Sequence, residues 1–101
     1  MIEICNLRNE KPKYRFDVRV DGMSVLGNPF FMKKEDQRDA VCDRYEDHFN
    51  VMIRSDCKFQ RELARIQSIY ETYGKLRLFC WCAPKRCHAE TIKRWLEKSI
   101  Q

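Results

Sequence analysis

Apolar and polar residues alternate strictly from Tyr14 to Asp21, with Tyr14, Phe16, Val18 and Val20 on one side and Arg15, Asp17, Arg19 and Asp21 on the other. A period of two sends successive side chains to opposite faces of a strand, so residues 14–21 predict a strand with one buried face. Residues 1–7 read as a shorter strand before it. The connection 8–13, punctuated by Pro12, is too short for a crossover helix and predicts antiparallel pairing if the two strands are neighbours. Residues 22–33 read as a loop around Gly27-Asn28-Pro29-Phe30, because Pro29 fixes its own φ and biases Asn28 towards an extended conformation.

The period then lengthens. From 35 to 53, Val41, Tyr45, His48 or Phe49, and Met52 recur at helical spacing, behind Glu35 and Asp36 in a first turn where acids complement the helix dipole. A second helix begins at Ser55 or Asp56, either of which can cap it, buries Phe59, Leu63, Ile66, Tyr70 and Tyr73, and stops at Gly74. A third strand over 75–82 leads into a last helix over 89–98, whose stripe is Ile92, Trp95, Leu96 and Ile100. His48 reads as a partly buried histidine beside an apolar stripe, and Tyr70 and Tyr73 as core edge. The order is ββααβα. No repeat or linker interrupts it, so residues 1–101 read as a single α/β domain, with α+β as the alternative class.

Composition narrows the setting. Lys and Arg exceed Asp and Glu by five, which draws the chain towards nucleic acid or nucleotides, although most basic residues are interleaved with acids as on an ordinary soluble surface. Six cysteines would suit a disulfide-bonded secreted protein, but the first residues carry no basic-then-apolar leader. No apolar run approaches the roughly 18 residues of a membrane span. The expectation is a cytoplasmic protein with reduced cysteines and no membrane partner, in which Cys5, Cys42 and Cys57 pack as small hydrophobes.

Reactive side chains concentrate in Cys80-Trp81-Cys82-Ala83-Pro84-Lys85-Arg86-Cys87-His88, between the third strand and the last helix. A strand-to-helix turn is where α/β proteins hold ligands, since the strand end opens into a crevice and the helix start offers unpaired N–H groups.

The Gly27-Asn28-Pro29-Phe30 loop, a helix with Arg38 and Tyr45, and the terminal Cys80-Trp81-Cys82-Ala83-Pro84 with Cys87-His88 occur in that order. In this the chain resembles a small domain-of-unknown-function family found widely in bacteria and their phages. The resemblance covers most of the chain and implies a compact, Rossmann-like α/β domain with its site at the cysteine-histidine turn. It brings no established activity, and for a phage-encoded member it implies the host cytoplasm. Family members usually carry an Ile-Gly-Arg-like segment before the loop and a Gly after the motif's His, where this chain has Arg19-Val20-Asp21-Gly22 and Ala89. A Cys-His pair opening a helix after a strand is also similar to a second uncharacterised bacterial family.

Four chemistries fit the turn. As an anion site, a helix start near Cys87 would join Arg86, a bidentate donor, and Lys85, a point charge, with Asn28 and Arg38 as additions from the other motif. As a zinc site, Cys80, Cys82, Cys87 and His88 supply the usual ligand count, but their spacing disfavours it, so no cofactor is expected. As a thiol enzyme, Cys87 would be the nucleophile and His88 the base or orienting group, with Cys80 and Arg86 matching a Cys-x5-Arg spacing. As a nucleic-acid surface, Trp81, with Phe79 or Phe30, would stack on unpaired bases while Lys85, Arg86, Lys93 and Arg94 hold phosphates. The preferred reading is a binding protein for a phosphate-bearing ligand, RNA or single-stranded DNA foremost, at the 80–88 turn. A thiol-dependent enzyme acting on nucleotides or nucleobase-sugar compounds is the alternative, and a protein-interaction module engaging a host factor is third.

Overall fold

Three strands, β1 (Ile2–Asn6), β2 (Asp17–Arg19) and β3 (Leu76–Cys80), run parallel in the spatial order β1-β3-β2 in the computed structural model, which describes residues 1–99. The last strand in sequence is therefore the central one. The antiparallel pairing expected if the first two strands were neighbours therefore does not arise. β3 stands between them, and residues 7–16 cross one face of the sheet as irregular chain instead of turning back as a hairpin. A strand paired on both edges and covered on both faces needs a nearly continuous apolar run, which Leu76, Leu78, Phe79 and Cys80 provide.

The helices lie on the other face. A single 3-10 turn (Glu35–Gln37) leads into α1 (Arg38–Ser55), followed by α2 (Cys57–Tyr73) and α3 (Ala89–Ser99), giving the mixed α/β order ββααβα. The register aligns Ile2 with Leu76, and Ile4 with Leu78 and Val18, so these side chains form the rows on which α2 and α3 pack, while α1 lies against both helices. Tyr45, Phe49, Phe59, Leu63, Ile66, Ile92 and Leu96 fill the space between. Ile100, expected in the last stripe, lies outside the described residues. The α1–α2 break is set by Asp56, whose Oδ1 accepts the N–H groups of Lys58 at 2.9 Å and Phe59 at 3.1 Å. α2 ends where Gly74 takes φ 71°, the left-handed conformation that glycine adopts most readily. No helix among the described residues is long and apolar enough to cross a membrane.

The crossing segment is held by charge. Glu3, Arg77 and Asp17 align in one row of the outer face. Arg77 donates to Asp17 Oδ1 at 2.9 Å and to Glu10 Oε2 at 3.1 Å, and its guanidinium lies 5.0 Å above the Phe79 ring. Asp17 has a side chain 0% exposed and also accepts the N–H groups of Lys13 and Tyr14, each at 2.9 Å. Those two bonds bend the chain into a turn ahead of β2. That is why the alternation from Tyr14 does not become strand until Asp17, and why Tyr14 is exposed while Val18 and Val20 are buried.

Burial opposes the charge on Asp17, but the amides of Lys13 and Tyr14 and the Arg77 guanidinium outweigh it and hold the carboxyl below its ordinary pKa. A carboxyl lowered in the folded state adds stability that is complete above its unfolded pKa and lost as pH falls through the folded value. Asp17→Asn should cost on the order of 3 kcal/mol at pH 7 in urea unfolding. It should also flatten the loss of stability that the natural chain shows below about pH 4. Equal stability of the two proteins at pH 7 would contradict this role.

Candidate ligand-binding site

Because the strands are parallel, their carboxyl ends open on the same side, and a cleft of about 190 Å³ lies beyond the ends of β2 and β3. Phe30, Met32, Val41 and Trp81 give it apolar walls. Asp21, Asn28, Arg38, Cys42, Cys82, Arg86, Cys87 and His88 supply its polar edges. The two motifs that stand far apart in the sequence therefore line one cavity. Of the residues expected at the site, Phe79, Cys80, Lys85, Lys93 and Arg94 lie outside the lining.

Each motif is fixed by the chain itself. Gly27 sits where a Cβ would fall 2.5 Å from the Asp21 carbonyl oxygen and 2.9 Å from Gly22 Cα, so glycine is required by the chain's own backbone at this crossing. Asn28 Oδ1 accepts the Phe30 N–H at 2.9 Å, and the buried Tyr45 hydroxyl donates to the Leu26 carbonyl at 2.7 Å, tying the loop to α1. Across the cleft, Asn6 Nδ2 donates to the Ala83 carbonyl at 2.8 Å, and Arg38 Nη1 donates to the Arg86 carbonyl at 2.8 Å. The Ala83–Pro84 peptide is cis. Trp81 donates through Nε1 to Asp21 Oδ2 at 2.9 Å, which stands its half-exposed ring against the cleft. Asp21 is almost fully buried, and the Arg19 guanidinium and the Trp81 N–H hold its pKa below the ordinary carboxylate value despite burial.

The sulfur and imidazole groups are placed differently from the sequence expectation. Cys87 is 4% exposed, and its Sγ lies 3.3 Å from that of the buried Cys80. Its hydrogen bond with Cys80 and its burial both push its pKa up, so Cys87 stays a thiol at neutral pH and is a poor nucleophile. Any charge in this pair rests on Cys80, whose thiolate the Cys87 thiol and the N–H groups of Cys82 and Ala83 favour. Cys82 is the half-buried thiol in the lining, and the Arg38 side chain reaches it. His88 is buried with Nε2 against the Val20 carbonyl and its ring 5.0 Å from that of Tyr45. A carbonyl can only accept, so Nε2 carries the proton. Burial lowers the pKa of His88, which leaves a neutral ring with its lone pair on Nδ1. Among the described residues no group of three or more His, Cys, Asp or Glu is arranged to hold a metal ion.

Charge and helix amides are also committed. Arg86 pairs with Asp43 at 2.8 Å and Asp39 at 3.1 Å, Lys85 with Glu35 at 2.7 Å, and Arg38 with Glu35 at 2.8 Å. The start of α3 turns its first N–H groups inward: Ala89 to the Cys87 sulfur, Glu90 to the Cys87 carbonyl at 3.1 Å, and Thr91 to the His88 carbonyl at 3.1 Å. The open amide donors expected at this helix start are therefore already satisfied. Sequence reading missed Asn6 and Tyr45 as organisers of the site and Asp21 as a lining group, and named Cys82 there only as a zinc ligand. For Asp21 the signal was present, in an acid at the end of an alternating strand immediately before a glycine.

Residues 5–98 match the model of a family described as a domain of unknown function, DUF4326. No curated protein and no solved structure matches the chain.

Exposure sets the order of thiol reactivity. Iodoacetamide at neutral pH should label Cys57 and Cys82 first, and Cys5, Cys42, Cys80 and Cys87 only slowly, as read by peptide mass spectrometry. Labelling of Cys87 ahead of Cys82 would contradict the buried position of Cys87.

Proposed function

The chain belongs to this family of domains of unknown function, and we propose that it binds one nucleotide unit, either free or at an unpaired position of RNA or single-stranded DNA. The base lies in the cleft and the phosphate at its rim. The observation that carries this reading is the meeting of Phe30 and Trp81, one from each motif, as walls of a cavity edged by Asp21, Asn28 and His88. Aromatic faces stack on a flat ring. The Asp21 carboxylate and the His88 Nδ1 lone pair accept hydrogen bonds, and the Asn28 amide donates them, which is the mixed edge that a heterocyclic base presents.

Size agrees with a single ring system. At about 190 Å³ the cleft is smaller than the roughly 300–1,000 Å³ of pockets that enclose a drug-sized ligand. It holds the ring and leaves the sugar and phosphate outside. Arg38 and Arg86 are the cations in its lining and Lys85 is the chain neighbour of Arg86, and because all three already face carboxylates they contribute less to affinity than free cations would. A cytosolic setting fits six cysteines that are all free.

One observation favours a second reading, a thiol-dependent enzyme acting on the bound nucleotide or nucleobase-sugar compound. Cys82 lines the cleft beside the Arg38 guanidinium, so the reacting thiol in that case is Cys82 and not Cys87. Turnover abolished by Cys82→Ser, with binding retained, would establish it.

Trp81 reports on the binding reading directly. Titration with nucleoside monophosphates should quench its fluorescence. Trp81→Leu should weaken binding, measured calorimetrically, by about tenfold or more, while Lys85→Ala with Arg86→Ala weakens it only several-fold. Absence of quenching with all common nucleotides, together with no heat of binding, would reject the reading.

A further inference from the structure

The amino end of the sheet, opposite the cleft, carries a second surface of different character. Tyr14 and Phe16 stack there with ring centroids 5.0 Å apart and planes 17° from parallel, and Tyr73 at the end of α2 meets Phe16 edge-on at 6.2 Å. Lys13 Nζ lies 5.1 Å from the Tyr14 ring centre and Lys75 Nζ 4.7 Å from that of Phe16. Tyr14 is 51% exposed and Tyr73 43% exposed, and neither hydroxyl has a hydrogen-bond partner among the described residues. Beside them runs an open groove of about 390 Å³ that Tyr14, Phe16 and Lys75 help to line. Aromatic residues that only closed the end of the sheet would bury their rings. These leave broad faces in water.

The charge here is uncommitted. Lys11, Lys13, Arg15 and Lys75 have no carboxylate partner among the described residues, in contrast to the paired cations at the cleft. Glu10 and Asp17 are taken up by Arg77, which leaves Glu3 in the groove and Glu71 on α2 as the unpaired acids nearby. Four cations against two carboxylates select an anionic partner, and stacked rings between them select one with flat faces.

We propose that this amino-end surface is a stacking platform for single-stranded RNA or DNA, with bases on Tyr14 and Tyr73 and phosphates on Lys13, Lys75 and the cations of the 11–16 segment. A duplex keeps its base faces inside its own stack, so unpaired strands are the form that fits. The platform is separate from the cleft. Its occupant is a strand and not a lone nucleotide.

The test is fluorescence anisotropy with labelled mixed-sequence 12-mers of RNA and of single-stranded DNA, titrated at several salt concentrations. The natural chain should bind. Tyr14→Ala should weaken binding by about tenfold, and Tyr14→Phe, which keeps the ring, should restore it. Lys13→Ala with Lys75→Ala, two exposed changes that leave the fold intact, should weaken binding and make the dependence of log K on log salt shallower by about 1.4, two phosphate contacts at roughly 0.7 each. Lys58→Ala with Arg61→Ala, two exposed cations at the far end of α2 from Tyr73, should leave 12-mer binding within about twofold. No binding by the natural chain, no effect of the lysine pair, or competition by polyglutamate as effective as by unlabelled 12-mer would overturn the platform. The last outcome would point to an acidic peptide partner instead. Trp81 quenching by mononucleotides is read separately, so either site can fail without the other.

Discussion

Everything in this fold follows from β3 being threaded between β1 and β2 with all three strands parallel. Parallel strands cannot be joined by tight hairpins, so residues 7–16 must cross the sheet, and their polar backbone must be accommodated on a face that no helix covers. Arg77 makes that possible. From the middle of the central strand it pairs with Asp17 and Glu10 and covers Phe79, turning an exposed sheet face into a closed one. The same threading places the ends of β1 and β2 on either side of the 80–88 turn, where Asn6 and Asp21 hold it.

The two ends of β3 consequently differ in chemistry. At its carboxyl end the turn is rigidly built: amides, thiols and guanidinium groups already have partners, and what is left free is an apolar slot with a few hydrogen-bonding edges. Such a slot discriminates by shape and hydrogen bonding more than by charge. At its amino end the lysines are unpaired and the rings half-exposed, which favours attraction and stacking over shape. A ring-sized ligand and a polyanionic strand are matched to these two surfaces in turn.

Much of this was legible in the residues. The helical stripes of α1, α2 and α3, the Asp56 cap, the Gly74 stop and the order of elements follow from local periodicity and turn chemistry, which depend only on near neighbours. Strand pairing does not, and the antiparallel expectation applied only to neighbouring strands: nothing in residues 1–21 records that a strand some fifty residues later will separate them. The approach of Asn28 and Arg38 to the 80–88 turn was raised by the anion-site reading, while the roles they take there were not. Arg86 read as an anion donor because its carboxylate partners, Asp39 and Asp43, become neighbours only when α1 packs against the turn, whereas the partner of Arg38, Glu35, lies only three residues before it in the chain. Cys87 read as reactive for a similar reason, since its burial against Cys80 is a tertiary fact. Tyr14 and Tyr73 fit helical or strand periodicity yet stand in water, because the periods continue past the points where their elements stop packing.

Backbone amide chemical shifts of the isotope-labelled chain, recorded while a nucleoside monophosphate mixture is added, test the central claim most directly. The account predicts that saturable shifts gather at residues 21–22, 28–32 and 81–88, from the two motifs together. Shifts confined to one motif, or centred away from the carboxyl end of β3, would contradict it.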